Sequence, residues 1–454
     1  MIPLKSYEKA LLNLPSWIKE AEIDAENHEQ VSYTAKGGAV TSTNSSGLTA
    51  LYVRATGEKT GYVYTENLSE DGESVIKRAY ENGLYIEKSD ADRLNDKQTA
   101  YVANKAESKV SDLPEIDLNV IKESVLRFDG TVSKLPNLVD YSVAICIDNF
   151  RSRLLNSKGV DISSAYQVWH YAVNLTCSYM GKEYDGKYEG NVASFEWMDF
   201  NTAVEKAHQM ILDQRIEGQL ASGEHQVLLD SQVVINIMTT AWQMFSGLKY
   251  FESSSALSGK LGTDISTSEL SIIDTNEHTD AGYKYTFDCE GTLSQTHKLI
   301  DKGRFIGLLH NLKSAESMDM APTGNAGRVA LLTGSIPTDI IVTPKIIYIE
   351  PSEKSKELLL NTMNKGVYLT NSSDVFHSID ISSGDFSIPC SGRLVEEGMA
   401  TQAIRDLTLN GNLIDLFDQI TAVGNDLKIE AFLLKSYCIG APSVLVNRLN
   451  ISCK

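Results

Sequence analysis

Histidine is scarce in this chain and poorly placed for metal chemistry. There are eight in 454 residues, and none lies between His225 and His278. A hydrolytic zinc site of the helical type needs two imidazoles on one helix face and a glutamate between them. The only His-Glu dipeptide, His28-Glu29, is followed by Gln30, Val31 and Ser32, with no second histidine at the required spacing. Paired cysteines are missing too. Cys146, Cys177, Cys289, Cys390, Cys438 and Cys453 are scattered with no Cys-x-x-Cys, which argues against a zinc knuckle or a disulfide scaffold and fits reduced thiols in the cytoplasm. Positive charge is short: the formal net charge is −19. Phosphates repel such a chain, which excludes direct nucleic-acid binding as its first expectation. No apolar run approaches the roughly 20 residues that span a bilayer. The opening MIPLKSYEKALLNLPSWIKEAE has no apolar stretch of signal-peptide kind. The chain is expected to be cytoplasmic and free of membrane spans. There is no G-x-S-x-G elbow and no phosphate-binding G-x-x-x-x-G-K-[ST] loop. Ser74-Val75-Ile76-Lys77 is a formal S-x-x-K, but it sits in a surface helix without partner motifs.

What is present is a globular composition, 42% hydrophobic and 22% charged, in a chain long enough for two or three cores. Residues 3–27 show helical spacing, and strands begin at Gln30 with VSYTAKGGAV, LTALYVRATG and KTGYVYTEN. Ser69 with Glu70 and Asp71 reads as a helix start, and Val75, Ile76, Ala79, Tyr80 and Leu84 form the apolar face that follows. The polar stretch Lys88–Pro114 reads as a long connection. A helix over Asp117–Leu135, a meander of long strands and a helix over Phe200–Leu220 come next. The order helix, strands, helix thus occurs twice before residue 222. After Ser222-Gly223, HQVLLD reads as a buried strand and Val233, Val234, Ile237, Met238, Ala241 and Phe245 trace a helix. Beyond Gly247 the chain is rich in β-branched runs such as DIIVTPKIIYIEP, which suit a curled, barrel-like sheet. The fold class is α+β. An α+β subdomain is expected over 1–113, a second over 114–222, and a β-rich domain over 223–454, with antiparallel sheets and flanking helices in the N-terminal half.

Several segments in the C-terminal half carry dense turn chemistry. FDCEGTLSQTHKLIDKGRFIGLLHN (Phe287–Asn311) opens on Asp288, Glu290 and Gly291 and turns at Lys302-Gly303, bringing His297 and His310 toward each other. TGNAGR (Thr323–Arg328) holds Gly324 and Asn325, residues that tolerate positive φ and form a tight turn or an anion-binding nest. LTLNGNLIDLFDQITAVGNDLK (Leu407–Lys428) reads as a strand, a tight Gly411 turn, a short helix burying Leu413, Leu416, Phe417 and Ile420, and a Gly424 helix stop.

These three segments, in this order, resemble the TldD/PmbA family, called modulators of DNA gyrase. GLTALYVRATGEKTGYVYTENLSEDGESVIKRA (Gly47–Ala79) is similar to the family's N-terminal domain. Catalytic TldD-type members carry a His-Glu-x-x-x-His zinc motif after a strand like HQVLLD and before a loop like SSALSGKLG (Ser253–Gly262). This chain has no histidine there, which places it with the PmbA (TldE) branch. The resemblance implies a non-catalytic subunit of a cytosolic metalloprotease. Such a subunit binds no metal itself and pairs with a zinc-bearing TldD-like partner, with homodimerisation open to it in isolation. It would hold extended peptide substrates for processing or degradation. Asp288, Glu290, Gly291, Gly324 and Asn325 are its candidate peptide-cavity or structural-motif residues. A cysteine near the C-terminus is the third metal ligand of catalytic members; Cys438 stands in a similar place and reads better as a small buried residue. The family's acidic D-D-E-G appears here as Asp288-Cys289-Glu290-Gly291. The other reading is a binding or regulatory protein that acts on partners without proteolysis.

Overall fold

The computed structural model describes residues 2–85, 93–98, 113–114, 117–328, 339–432 and 436–453. Most of the expected connection over Lys88–Pro114 lies outside the described residues. The N-terminal half is built on one sheet of six long strands: β1 (Glu20–Lys36), β2 (Ala39–Thr56), β3 (Thr60–Thr65), β4 (Leu138–Asn156), β5 (Asp161–Tyr179) and β6 (Lys182–Val192). They lie in the order β3-β2-β1-β4-β5-β6, and every neighbouring pair is antiparallel. The β1–β4 pairing runs from Glu22 opposite Asn156 to Ala35 opposite Val143. The two N-terminal helix-and-strand units therefore share a single sheet.

Helices α1 (Lys5–Leu11), α2 (Gly72–Leu84), α3 (Leu118–Val132) and α4 (Phe200–Asp213) cover one face of this sheet. α2 sets Val75, Ile76 and Ala79 on Ile23, Ala25, Leu51 and Val53. α3 and α4 set Ile121, Val125, Phe128, Ala203, Ala207 and Ile211 on Val143, Ile145, Val173 and Leu175. Three of the helices start on an aspartate whose carboxylate accepts an otherwise orphaned backbone N–H: Asp71 from Ser74, Asp117 from Asn119 and Asp199 from Thr202. The helix start expected at Ser69 is thus Asp71. The helix expected over residues 3–27 stops at Leu11, because Ala21, Ile23 and Ala25 alternate into the helix-covered core with period two, as a strand requires.

The two halves of the sheet use the same packing device. A Cβ at Gly61 in β3 would lie 2.0 Å from the Ala79 carbonyl oxygen of α2, and one at Gly186 in β6 would lie 2.0 Å from the Ala207 carbonyl oxygen of α4. Glycine at each position lets a helix backbone rest directly on an edge strand.

The C-terminal half adds α5 (Ser231–Ala241), α6 (Gly247–Phe251), α7 (Leu312–Ser317), α8 (Lys356–Met363), α9 (Val375–Ser378) and α10 (Leu413–Asp418). Its strands are β7 (Gly223–Leu229), β8 (Ile272–Thr275), β9 (His297–Asp301), β10 (Arg304–Phe305), β11 (Ala326–Gly327), β12 (Ile341–Val342), β13 (Ile346–Ile349), β14 (Gly366–Ser372), β15 (Asp385–Glu396), β16 (Met399–Asn412), β17 (Ile420–Val423), β18 (Lys428–Phe432), β19 (Tyr437–Ala441) and β20 (Val444–Cys453). β7, β14, β15, β16 and β20 close into a barrel through the β16–β20 pairing, with β7 and β14 parallel. A second sheet runs β10-β9-β8-β13-β19-β18. β9 and β10 turn at Lys302-Gly303 as their sequence requires. The Gly411 turn does not form: Gly411 is the penultimate residue of β16, and α10 starts at once on an Asn412 cap. Gly424 follows a strand, β17, because Ile420 already pairs with Val446 of β20.

Gly186→Ala is expected to cost about 1–3 kcal/mol through overpacking of α4 on β6, read as a lower denaturant midpoint. An unchanged midpoint would show that α4 does not rest on that strand.

Candidate functional site

The uncovered face of the N-terminal sheet packs on the C-terminal half, and charged residues are buried along that seam. On β1, Glu22 and Asp24 point opposite to Ile23 and Ala25, so they turn away from the helices. Glu22 stands across from Arg54 of β2, and Asp24 across from Tyr52. Arg54 donates from Nη2 to Glu22 Oε1 at 2.8 Å and from Nη1 to Glu290 Oε1 at 3.2 Å. Arg54 is 2% exposed, Glu22 0% and Glu290 3%. One guanidinium therefore ties the first hairpin of the chain to the C-terminal half. A second bridge runs parallel to it. Arg328, at the end of the Thr323–Arg328 turn, donates to Asp24 and stacks 4.8 Å from the centre of the Tyr52 ring.

The sequence candidates supply the C-terminal side of this seam. Asp288 folds its own loop: Oδ1 accepts the N–H groups of Glu290 and Thr292, each at 2.9 Å, and Oδ2 accepts that of Ala326 at 2.9 Å. Gly291 completes that loop at φ +78, against the side chains of Leu154 and Ile162. Glu290 Oε2 accepts the Leu312 N–H at the start of α7. Gly324 also has φ +78, and a Cβ there would meet the Leu293 carbonyl at 2.5 Å. Asn325 donates to Asp274 Oδ2 at 2.7 Å and to the Thr343 carbonyl at 3.0 Å. Asp274 Oδ1 accepts the Lys345 N–H at 2.8 Å, while Lys345 Nζ donates to the Ala326 carbonyl at 3.0 Å. Asp288, Glu290, Gly291, Gly324 and Asn325 thus come together in one structure, with their side-chain polar atoms held by backbone groups, by Arg54 and by Asp274. Glu22, Asp24, Arg54 and Arg328, which the sequence did not single out, complete the cluster. The acidic alternation Glu22-x-Asp24-x-Glu26 was the available signal, since acids at period two on a strand mark one face.

Burial sets the protonation of these groups. It pushes the Glu290 carboxyl up to about 7 against the pull of Arg54, and the nearby Asp288 charge adds to the rise. It pushes Asp274 up to about 6, held back by the Asn325 and Lys345 hydrogen bonds. Burial also raises Asp24, with Arg328 opposing.

A second polar cluster lies further along the same sheet face. Asp148 is fully buried and accepts from Gln30 Nε2 at 2.9 Å; His28 Nε2 lies 2.6 Å from one of its oxygens and His170 Nε2 2.9 Å from the other. The Phe150 ring stacks on His28 and on Tyr166. His297 and His310 do approach each other, through Thr323. His297 Nε2 lies 2.8 Å from the Thr323 carbonyl, and the His310 backbone N–H donates to Thr323 Oγ1. Burial, with His297 alongside, lowers the His310 imidazole to about 4.

The donor set along α5 does not suit zinc. Val233, Ile235, Ile237, Met238 and Ala241 are core residues, and the half-buried Gln232 and Asn236 spend their amides on Glu430, Lys428 and Ser372. Cys438 is fully buried beside the Tyr285 hydroxyl, 3.8 Å from its sulfur, and burial pushes the thiol up to about 12. A neutral thiol in an aromatic surrounding is a packing residue. Among the described residues no group of three or more His, Cys, Asp or Glu is arranged to hold a metal ion. Among the same residues no helix is long and apolar enough to cross a membrane.

Residues 222–453, just over half of the chain, match the model of the PmbA/TldA metallopeptidase C-terminal domain. A metalloprotease PmbA homolog of Buchnera aphidicola is 24% identical over 228 residues, which are 50% of this chain and 45% of that protein. The match thus spans less than half the length of that curated relative. A metalloprotease PmbA homolog of Haemophilus influenzae is 23% identical over 406 residues, 87% of this chain and 84% of its own. Among solved structures, a candidate modulator of a DNA gyrase from Thermotoga maritima superposes with a TM-score of 0.83 at 23% identity, over 99% of this chain and all of the other. TldE from Thermococcus kodakarensis gives 0.82 at 16% identity, over 99% and 98%. These likenesses show a shared α+β fold.

The raised carboxyls make a pH prediction. A carboxyl whose folded value exceeds its unfolded one stabilises fully below the unfolded value and loses that contribution as pH rises through the folded value. For Glu290 the window runs from 4.5 to about 7. Stability is expected to fall across it by at most about 1.4 kcal/mol per pH unit for this proton. Glu290→Gln should flatten the fall, measured by denaturant unfolding between pH 5 and 8 (roughly the accessible range). A slope identical in both proteins would contradict the assignment.

Proposed function

We propose, from the premise that this chain belongs to the TldD/PmbA metallopeptidase family, that it is the non-cutting subunit of a cytosolic peptidase pair. The partner is a TldD-like subunit that carries the zinc, and the substrates are extended peptides. The observation that carries this reading is α5. In the segment where catalytic members would carry their histidines, between His225 and His278, this chain offers no imidazole. The helix there is a core element. Water is activated for hydrolysis on a metal held by several protein ligands with one open position. A single buried thiol at Cys438 cannot hold one.

The share left to this chain is positioning. Peptides bind sheet edges through backbone N–H and C=O groups, without needing particular catalytic side chains. Among the described residues the two larger open sheets end on β3 and β6 and on β10 and β18, of which β6, with eleven residues, is the longest. The buried charge seam keeps those edges in a fixed relation, because breaking it would strand ions away from water. The six free thiols fit a reducing compartment. The acidic surface, at −19, speaks against a role exercised on nucleic acid directly.

Co-expression with a TldD-like zinc subunit, followed by a peptidase assay, tests the reading. The complex is expected to co-purify and to cleave unstructured peptides in a chelator-sensitive manner, while this chain alone leaves them intact. Chelator-sensitive cleavage by this chain alone would overturn the proposal. Failure to associate with any zinc-bearing subunit would favour a binding protein that acts without proteolysis.

A further inference from the structure

One acid on the seam face of β1 has no partner. Glu26 follows Glu22 and Asp24 at period two and so points to the same face. Arg54 is spent on Glu22 and Glu290, Arg328 on Asp24, and Lys345 Nζ on the Ala326 carbonyl. Glu26 makes no hydrogen bond or ion pair among the described residues. Burial between the two halves raises its carboxyl, with Arg328 and Lys345 opposing, yet the residue is exposed to solvent. Protein on most sides and water on one describe a cleft. The β register gives its shape. Glu26 stands between Ala50 of β2 and Ser152 of β4, both small. Its diagonal neighbours are larger and include Tyr52 on β2 and Phe150 on β4. Tyr166 of β5 stacks on Phe150. Tyr52 and Tyr166 are half-buried, and their hydroxyls also make no hydrogen bond among the described residues. Burial raises both phenols and the Glu26 charge adds to the rise, which puts them within its reach.

We propose that this cleft binds a primary ammonium group of an extended peptide, a lysine side chain or a free amino terminus, with Glu26 as its counter-ion and the Tyr52 and Tyr166 hydroxyls as further acceptors. An ammonium brings several N–H donors and no acceptor, and these oxygen-bearing groups are the ones that nothing else in the seam uses. Sign and chemistry choose the ligand. An anion would meet the Glu26 and Asp24 carboxylates. A divalent metal ion needs several carboxylate or carbonyl oxygens, and among the described residues no group of three or more His, Cys, Asp or Glu is arranged to hold one. Aromatic surroundings suit an organic cation instead. That the ammonium belongs to a peptide rests on the peptide-holding reading above; that the cleft takes a cation rests on Glu26 alone.

Calorimetry on the full chain tests it with three short peptides of otherwise identical, uncharged sequence. One is blocked at both ends with a central lysine, one is blocked with norleucine in its place, and one is the norleucine peptide with a free amino terminus. At least one cationic peptide is expected to bind about tenfold or more tightly than the blocked norleucine peptide. Preference for the lysine peptide assigns the cleft to a side chain, and preference for the free terminus to a chain end; either supports the proposal. Glu26→Gln should erase the preference without lowering the melting temperature. Affinity for the cationic peptide should rise with pH as Glu26 ionises, and the Gln variant should lose that rise. The variant keeps the other groups near the site, Asp24, His28, Arg328, Lys345 and the two tyrosines, so the lost slope is that of Glu26. Equal binding of all three peptides, or a preference that survives Glu26→Gln, overturns the inference and leaves the peptide-holding role standing. Binding of none overturns the inference and counts against that role as well.

Discussion

Helix α5 is surrounded by the rest of the C-terminal half, and that enclosure constrains what the chain can do. Nine of its residues, from Ser231 to Ala241, are buried. A helix apolar on nearly all sides is a core element and must be packed on all sides. β14, β18 and β19 accept it, and Trp242 just after it lies edge-on to the Tyr437 ring. Its two inward amides are committed to Lys428, Glu430 and Ser372. A metal centre in the same place would need several of these contacts replaced by ligands, their supporting hydrogen bonds and an open coordination position. The C-terminal half has instead used the helix to hold its barrel and its second sheet together.

The charge seam does for the two halves what α5 does within one. Burying Arg54 with Glu22 and Glu290 costs several kcal/mol per ion in lost hydration before their attraction is counted. An apolar interface would be at least as stable, so net stability is a weak reason for these residues. Geometry is a better one. A bifurcated guanidinium accepts only one placement of the Asp288–Thr292 loop over the β1–β2 hairpin. The Arg328–Asp24 bridge ties the same hairpin to a second C-terminal element, the Thr323–Arg328 turn. Together they set the register of the N-terminal sheet over the C-terminal half, and with it the direction in which its edge strands β3 and β6 face.

Much of this was legible in the sequence, for reasons that differ by element. The hairpin at Lys302-Gly303, the buried strand ahead of α5 and the short helix of Leu413, Leu416 and Phe417 follow local rules of turn chemistry and periodicity. Asp288, Glu290, Gly291, Gly324 and Asn325 are singled out through resemblance, and local rules place them only in turns; their gathering is visible only in the structure. Glu20–Asn27 reads as helix with the rest of residues 3–27, although its acids alternate with the period of a strand. Glu22 and Asp24 are buried where Arg54, 32 residues from Glu22, and Arg328, 304 from Asp24, come to meet them. No local signal encodes such partners. Gly411 was misread because glycine in a strand mimics a turn; it stays in β16 because that strand keeps its partners β15 and β20 as far as Asn410 and beyond. The union of two units into one sheet escaped notice because the β1–β4 contact spans the long stretch between residues 36 and 138.

Titrating zinc into the metal-free chain by calorimetry tests the account at its root. If α5 is a structural core and Cys438 a packed neutral thiol, no saturable binding is expected at micromolar zinc. One tightly bound ion per chain, lost on substituting Cys438, would contradict the assignment of this chain as the subunit that holds and does not cut.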